Sequence, residues 1–404
     1  MGLPAPADFA APPDAGTRAA WREAERSHLA GRLDRLRTRM AAEGVDAYFG
    51  VKSEHMRWLT GFTLAAGEDK VAGHSGQFLV GQECVTVLTD SRYTIQARRE
   101  APGAVIDEIG YDLGAAWVRL VGTTGARRVA VEAAAVSHAQ WTKLAAAAPG
   151  VELVPVEGWV EAMRAVKTPD EIERIAAACA VADRALAALL PGVRAGVTEH
   201  DLALRLEWLM RTGGAEALAF DVACLAGPEA ALPHGSPGDR PVLDGSVLLF
   251  DFGAQVEGYR SDMTRTLFIG VPRERDLAVY GVVAAAQQAA IDAIELAVRT
   301  GVGLPGGRAV DAIARGVIDD DGRWPAYGHG LGHGIGLQTH EAPSLSRSAS
   351  EVPLTGPTVF SVEPGIYLEG EIGVRIEDLV HLDARRGRVE LLTRFPRDVI
   401  VLPA

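Results

Sequence analysis

Asp251, Asp262, Glu363 and Glu377, with His333 between the two pairs, are the residues whose types and spacing point to a reaction, hydrolysis assisted by two metal ions. The run from Gly245 to Phe268 reads as strand, Gly-flanked turn and strand, with Asp251 before the turn and Asp262 after it. Folded symmetrically about Val256 and Glu257, it places Asp251 across from Asp262, with Cβ atoms roughly 4.5 to 5.5 Å apart. Ser361 to Glu377 repeats the pattern about Gly370, which brings Glu363 opposite Glu377. Four gathered carboxylates repel, and without cations most would protonate or move apart. Two divalent ions remove the conflict, since metals about 3.5 to 4 Å apart need at least one bridging carboxylate. Oxygen ligands with one imidazole favour Mn²⁺, with Co²⁺ and Zn²⁺ as alternatives, over a thiolate-type site. Either pair alone reads equally well as surface acids on a hairpin; both pairs beside a histidine cluster do not.

The elements that must carry these residues follow from periodicity. From about residue 27 to 156 strands and helices alternate: helix Leu29 to Met40, strands at Val45, Gly76 to Val80 and Cys84 to Leu88, helix Arg92 to Glu100, strand Arg128 to Glu132, helix His138 to Ala148 and strand Val151 to Val156. Such alternation implies a layered α/β domain. Thr168 can cap, and Pro169 open, a helix whose Ile172, Ile175, Cys179, Ala182, Leu186 and Leu189 form one apolar face. A second helix starts at Thr198 and runs through Met210, and a similar pair recurs over Leu277 to Arg299 and Val310 to Ile318. The Pro-Gly turns of the two pairs lie 114 residues apart, which suggests a weak internal repeat around a central sheet. The fold class is therefore α/β (α+β), divided as a loose N-terminal arm over 1–26, an N-terminal domain over 27–160 and a catalytic domain over 161–404. Gly301-Val-Gly303-Leu-Pro-Gly306 mimics a dinucleotide fingerprint, but it follows a helix and contains Pro305, so it reads as an inter-helix turn.

At 404 residues and 48% hydrophobic the chain can bury two cores. A net charge of -13 argues against a nucleic-acid partner, because phosphate binding needs clustered Lys and Arg. Cys84, Cys179 and Cys224 are odd in number and widely spaced, which suits reduced thiols in a cytoplasmic protein. The N-terminus lacks the basic segment and apolar run of a signal peptide, and no membrane span is expected.

The block His329-Gly-Leu-Gly-His333-Gly-Ile-Gly-Leu-Gln-Thr-His340-Glu341 sets three histidines among four glycines, where backbone can approach closely and imidazoles can reach metal or substrate. With Pro233-His234-Gly, Gly258-Tyr-Arg-Ser-Asp262-Met-Thr-Arg-Thr, Ser361-Val-Glu363-Pro-Gly and Val374-Arg375-Ile-Glu377-Asp, it resembles the creatinase and methionine-aminopeptidase ("pita-bread") superfamily, and within it the Xaa-Pro peptidases. Trp58-Leu-Thr-Gly-Phe-Thr and Leu88-Thr-Asp-Ser-Arg-Tyr93 are similar to the creatinase-type N-terminal domain. The resemblance covers the chain from about residue 27 onward.

That resemblance implies two divalent metal ions per subunit, with Asp251 a ligand of one, His333 and Glu363 of the other, and Asp262 and Glu377 bridging. It makes His234 and His340 substrate-side catalytic histidines and His329 a further catalytic histidine near the site. Glu363 would exchange a proton with the attacking water. It also implies a homodimer in which one N-terminal domain closes the partner's site. The substrate would be a small peptide with an Xaa-Pro bond, whose ring nitrogen carries no hydrogen and needs a dedicated pocket. A dipeptidase (prolidase) is the reading preferred, an aminopeptidase P acting on longer peptides the alternative, and a non-catalytic peptide-binding scaffold the rival from another class. A dipeptidase needs a cation for the substrate carboxylate. Arg375, two residues before Glu377, is the candidate for substrate binding, with a clamp on the metal-binding carboxylates as the equally weighted reading.

Overall fold

The computed structural model of the chain describes residues 2–64, 75–110 and 112–404. Two compact units are present: Ala19–Met163, and Arg164–Ala404 together with the residues up to Arg18.

In the first unit a six-stranded sheet has Ala47–Gly50 at its centre, antiparallel to Gln77–Val80 and parallel to Arg128–Glu132. Strands Ala47–Gly50, Gln77–Val80 and Val85–Thr89 are buried throughout because helices cover the sheet, and Phe49, Leu88, Trp117, Val129 and Leu144 share one core cluster. Helix Ala15–Ala42 buries Trp21, Glu25, Arg32, Leu36 and Met40, a stripe at helical spacing. Helices Ser53–Thr60 and Leu113–Thr124 and strand Val105–Glu108 complete the layers; sequence periodicity did not reveal them.

The expected loose arm over residues 1–26 is corrected. Pro6–Asp8 forms a 3-10 turn, and a helix begins at Ala15, where the Thr17 N–H donates to Asp14 Oδ1 at 2.7 Å. The segment is held by contacts that composition does not advertise. The Phe9 and Phe395 rings stack with centroids 6.0 Å apart, and Arg184 Nη1 donates to the Pro6 carbonyl at 2.7 Å. Met1 lies outside the described residues.

The second unit holds two helix pairs, Pro169–Leu189 with Glu199–Thr212 and Glu274–Thr300 with Gly307–Asp321, each leading into a sheet. Thr168 and Pro169 open the first helix as expected, and the Glu171 carboxylate accepts from the Thr168 N–H at 2.7 Å. Gly301, at φ 68°, ends the third helix, so the glycine run at 301–306 is an inter-helix turn. A four-stranded sheet orders Val401–Leu402, Met263–Ile269, Val247–Phe252 and Ala223–Ala226; a five-stranded one orders Glu341–Leu345, Gly332–Gly334, Thr358–Val362, Asp378–Asp383 and Arg388–Leu391. Helices Pro169–Gly192 and Glu274–Thr300 are long and apolar enough on composition to cross a bilayer, contrary to the expectation of no such stretch. Both bury their apolar faces inside this unit, and both carry buried polar side chains, Arg174 and Asp183 in one and Asp276 and Gln287 in the other.

Candidate active site

The first hairpin turns at Glu257 and Gly258, whose φ angles of 48° and 81° are the positive pair a two-residue hairpin turn requires. Its centre lies one residue beyond the expected Val256–Glu257 midpoint, so every partner shifts by two. Asp251 therefore pairs with Thr264 and not with Asp262, which comes to lie diagonally from Asp251.

The second hairpin keeps the expected register. Gly365 pairs with Arg375 and Val362 with Asp378, so Glu363 and Glu377 occupy facing positions between two ladders of one continuous register. At that point the strands part: the Glu363 N–H turns to the Leu331 carbonyl at 2.8 Å and that of Glu377 to the Thr264 carbonyl at 3.1 Å. The interruption frees both glutamates from the ladder.

His333 sits on Gly332–Gly334, where neighbouring backbone comes so close that only glycine fits. A Cβ on Gly332 would lie 1.9 Å from the Ser361 carbonyl oxygen, and one on Gly334 2.0 Å from that of Ala342. His333 Nδ1 lies 3.1 Å from the Gly334 carbonyl, which fixes the proton on Nδ1 and turns Nε2 to the acids, 3.3 Å from Glu363 Oε1 and 3.6 Å from Asp262 Oδ2. Ser361 ties this together, its hydroxyl accepting from the His333 N–H at 3.0 Å and donating to Glu363 Oε1 at 2.9 Å.

Ligand atoms of Asp262, His333 and Glu377 all lie within 4.8 Å of one another. Asp251 Oδ1 and Glu377 Oε1 are buried with no hydrogen-bond partner among the described residues. Buried carboxylate oxygens without a hydrogen-bond partner are what a bound cation would satisfy. The electrostatics of the cluster give the same picture. Burial and the charges of Glu377, Asp251 and Glu363 push Asp262 well above the usual carboxylate range. Burial, with Glu363 and Asp251, does the same to Glu377. Burial raises Asp251 against the pull of Arg375. Glu363 is the exception: burial would raise it, but the hydrogen bond and charge of His333 and the charge of Arg375 hold it at about 2. The acids cannot all ionise unaided, and the donor set fits divalent metal.

The cleft in front of them has a volume of about 520 Å³, and His234, His329 and His340 also border it. His234 and His340 are exposed, and the His340 ring centroid lies 4.2 Å from that of His333. His329 is committed, with Nδ1 2.6 Å from the Gly330 carbonyl and Nε2 2.9 Å from the Tyr367 hydroxyl.

Arg375, the candidate for substrate binding, borders the cleft but is already held by neighbouring groups. It is 3% exposed, and its donors are engaged: Nη2 to Asp251 Oδ2 at 2.5 Å, Nε to Thr264 Oγ1 at 2.8 Å, Nη1 to Tyr367 Oη at 3.0 Å and to the Pro233 carbonyl at 3.3 Å. Desolvating a guanidinium this completely is tolerable because a carboxylate and three further oxygens meet it. Its contact with Asp251 fits the second of the two readings the sequence left open.

The match that decides kinship lies over residues 173–384, the metallopeptidase family M24 model, with the creatinase/prolidase N-terminal domain model over 32–166. The chain belongs to metallopeptidase family M24. This M24 chain is 33% identical to an uncharacterized peptidase of Bacillus subtilis over 373 residues, covering 92% of the chain and 100% of the relative. An Xaa-Pro dipeptidase structure from Bacillus anthracis superimposes with a TM-score of 0.83 at 30% identity, covering 93% of this chain and 100% of the other. An X-Pro aminopeptidase from Thermotoga maritima gives 0.77 at 34% identity, covering 89% and 98%. The M24 fold, the creatinase-type N-terminal domain and the hydrolase class all agree with the reading from sequence.

Thr264, Ser361, Tyr367 and Gln287 support the M24 site and were not singled out from sequence. Gln287 alone left a signal there, as an amide at i+4 from Val283 and i+3 before Ala290 on an apolar helix face.

Proposed function

We propose that this chain is a dinuclear metal-dependent peptidase that hydrolyses the Xaa-Pro bond of dipeptides. The observation that carries the reading is the convergence of Asp262, His333 and Glu377 beside Asp251 and Glu363, with carboxylate oxygens that meet no partner among the described residues. The preference for dipeptides draws on the likeness to the Bacillus anthracis Xaa-Pro dipeptidase.

Asp251, Asp262, His333, Glu363 and Glu377 would hold two divalent ions, Mn²⁺ in the first instance, with Co²⁺ or Zn²⁺ able to replace it. Bound there, the ions would supply Lewis acidity towards the scissile carbonyl and lower the pKa of water from about 15.7 towards 7. Glu363 takes the proton from the attacking water and returns it to the departing proline nitrogen, which has no hydrogen of its own before cleavage. His234 and His340, open to the cleft, donate to the carbonyl oxygen as negative charge develops. Arg375 opposes the burial that raises Asp251 and keeps its carboxylate aimed. The protein acts as a cytoplasmic homodimer in this reading.

Cleavage of longer peptides is the second reading, and one observation favours it. Arg375, bordering the cleft, already bonds to Asp251, Thr264 and Tyr367, which leaves it little to offer a C-terminal carboxylate. Assaying Leu-Pro against Leu-Pro-Ala under added Mn²⁺ separates the two. Release of proline from Leu-Pro supports the dipeptidase, and cleavage of the tripeptide alone replaces it with the aminopeptidase.

A further inference from the structure

Gln287 lies in the middle of helix Glu274–Thr300, 1% exposed, on a face whose other members, Val283, Ala286, Ala290 and Ile291, belong to the apolar core. An amide in such a setting costs free energy unless fully hydrogen-bonded. Its Nε2 lies 3.1 Å from the Val362 carbonyl, 3.2 Å from the Ile376 carbonyl and 2.9 Å from Asp378 Oδ2. All three partners are oxygens, so the amide nitrogen and not its carbonyl must face them, and its two hydrogens are shared among three acceptors. On the other side Arg397 Nη1 donates to Gln287 Oε1 at 3.3 Å.

These acceptors have a common location. Val362 immediately precedes Glu363, Ile376 immediately precedes Glu377, and Asp378 follows Glu377. They border the gap between the Val362–Asp378 and Gly365–Arg375 ladder pairs, where the strands separate and the two glutamate N–H groups leave for Leu331 and Thr264. Buried carbonyls released from a ladder need new donors. Gln287 supplies one donor group to both strands. Asp378 is fixed from its other oxygen by Arg265 Nη2 and Thr393 Oγ1, each at 2.6 Å.

We infer that Gln287 is a positioning residue for the metal centre: its amide holds the hairpin open at the point where Glu363 and Glu377 depart and sets the separation of the two carboxylates. This rests on the proposal above that both glutamates are metal ligands. Supporting groups of this kind typically change metal affinity or activity by about 10–100-fold when removed.

The test is calorimetric titration of Mn²⁺ into the chelator-stripped full chain, comparing wild type, Gln287→Met and, as control on the same helix, Gln288→Met, whose amide donates to exposed Asp292. Gln287→Met keeps the length of the side chain and removes the donor. The expected result is a loss of Mn²⁺ affinity of about tenfold or more in Gln287→Met, with wild-type affinity in Gln288→Met and a lower kcat on Leu-Pro at unchanged KM. Wild-type affinity in a folded Gln287→Met protein overturns the inference. Absence of Mn²⁺ uptake by wild type would sink the metal reading instead, so the two failures are distinguishable. Should Gln287→Met not fold, Gln287→Leu, which likewise removes the donor and suits the apolar face around it, takes its place. If neither variant folds, Gln287 supports the fold as a whole and the inference is likewise overturned.

Discussion

Arg375 Nη2 lies 2.5 Å from Asp251 Oδ2, and the same guanidinium reaches Thr264 across the first hairpin and Tyr367 across the second. One buried cation thus locks the two halves of the carboxylate cluster together. Its charge opposes the burial that raises Asp251, and it helps to hold Glu363 at about 2.

Arg375→Lys keeps the charge but cannot reach Asp251, Thr264 and Tyr367 at once. As a clamp, its replacement should lower kcat on Leu-Pro by about 10–100-fold and leave KM within about twofold. Steady-state kinetics decide. A raised KM with kcat preserved would mean that the guanidinium meets the substrate carboxylate after all.

Glu341, next to His340, is buried between Arg164 and Lys167, with Lys167 Nζ 2.6 Å from its Oε1. Removing the one carboxylate from two buried cations is expected to cost about 3–5 kcal/mol in Glu341→Gln. Urea denaturation measures it, and a change within about 0.5 kcal/mol would show that the pair is solvated.

Gly332→Ala places a Cβ 1.9 Å from the Ser361 carbonyl oxygen, backbone that cannot yield without moving Glu363. A loss of stability of roughly 2 kcal/mol or more is expected, with weaker metal uptake. Unaltered thermal unfolding would show that the approach is looser than described.

Asp183 is fully buried on helix Pro169–Leu189 and accepts from the Arg394 and Phe395 N–H groups at 2.9 and 3.2 Å. Burial outweighs those bonds and raises its pKa to about 7. Because an unfolded aspartate titrates near about 3.9, the folded chain keeps this proton while the unfolded chain loses it, so stability falls as pH rises from about 4 to 7. The slope from this group is on the order of 1 kcal/mol per pH unit and levels off above pH 7. Chemical denaturation at pH 5 and pH 8 should show a smaller difference for Asp183→Asn than for wild type; equal differences would contradict the assignment.

Glu363 and Glu377 were legible in the sequence because their hairpin folds about Gly370, a glycine at φ 72°, and the register follows from that one position. Asp251 and Asp262 were legible as residues but not in their pairing, since Glu257 adopts positive φ against the preference of its side chain and moves the turn by one residue. Helix Leu113–Thr124 was missed because Gly114 and Gly122 and two terminal threonines weaken its local propensity, while burial of Trp117 and Leu120 in the core sustains it. The role of Arg375 could not be separated from sequence, because facing the acids suits a substrate anchor and a clamp equally; only its full set of partners decides. Gln287 acts through residues 75 to 91 positions away, a distance at which spacing carries no signal.

The most direct test is the metal content of the chelator-stripped full chain after equilibration with Mn²⁺, read by elemental analysis beside Asp262→Ala. Close to two equivalents in wild type and a clear deficit in the variant are predicted. Wild-type protein that takes up no metal at millimolar Mn²⁺ would contradict the proposed catalyst.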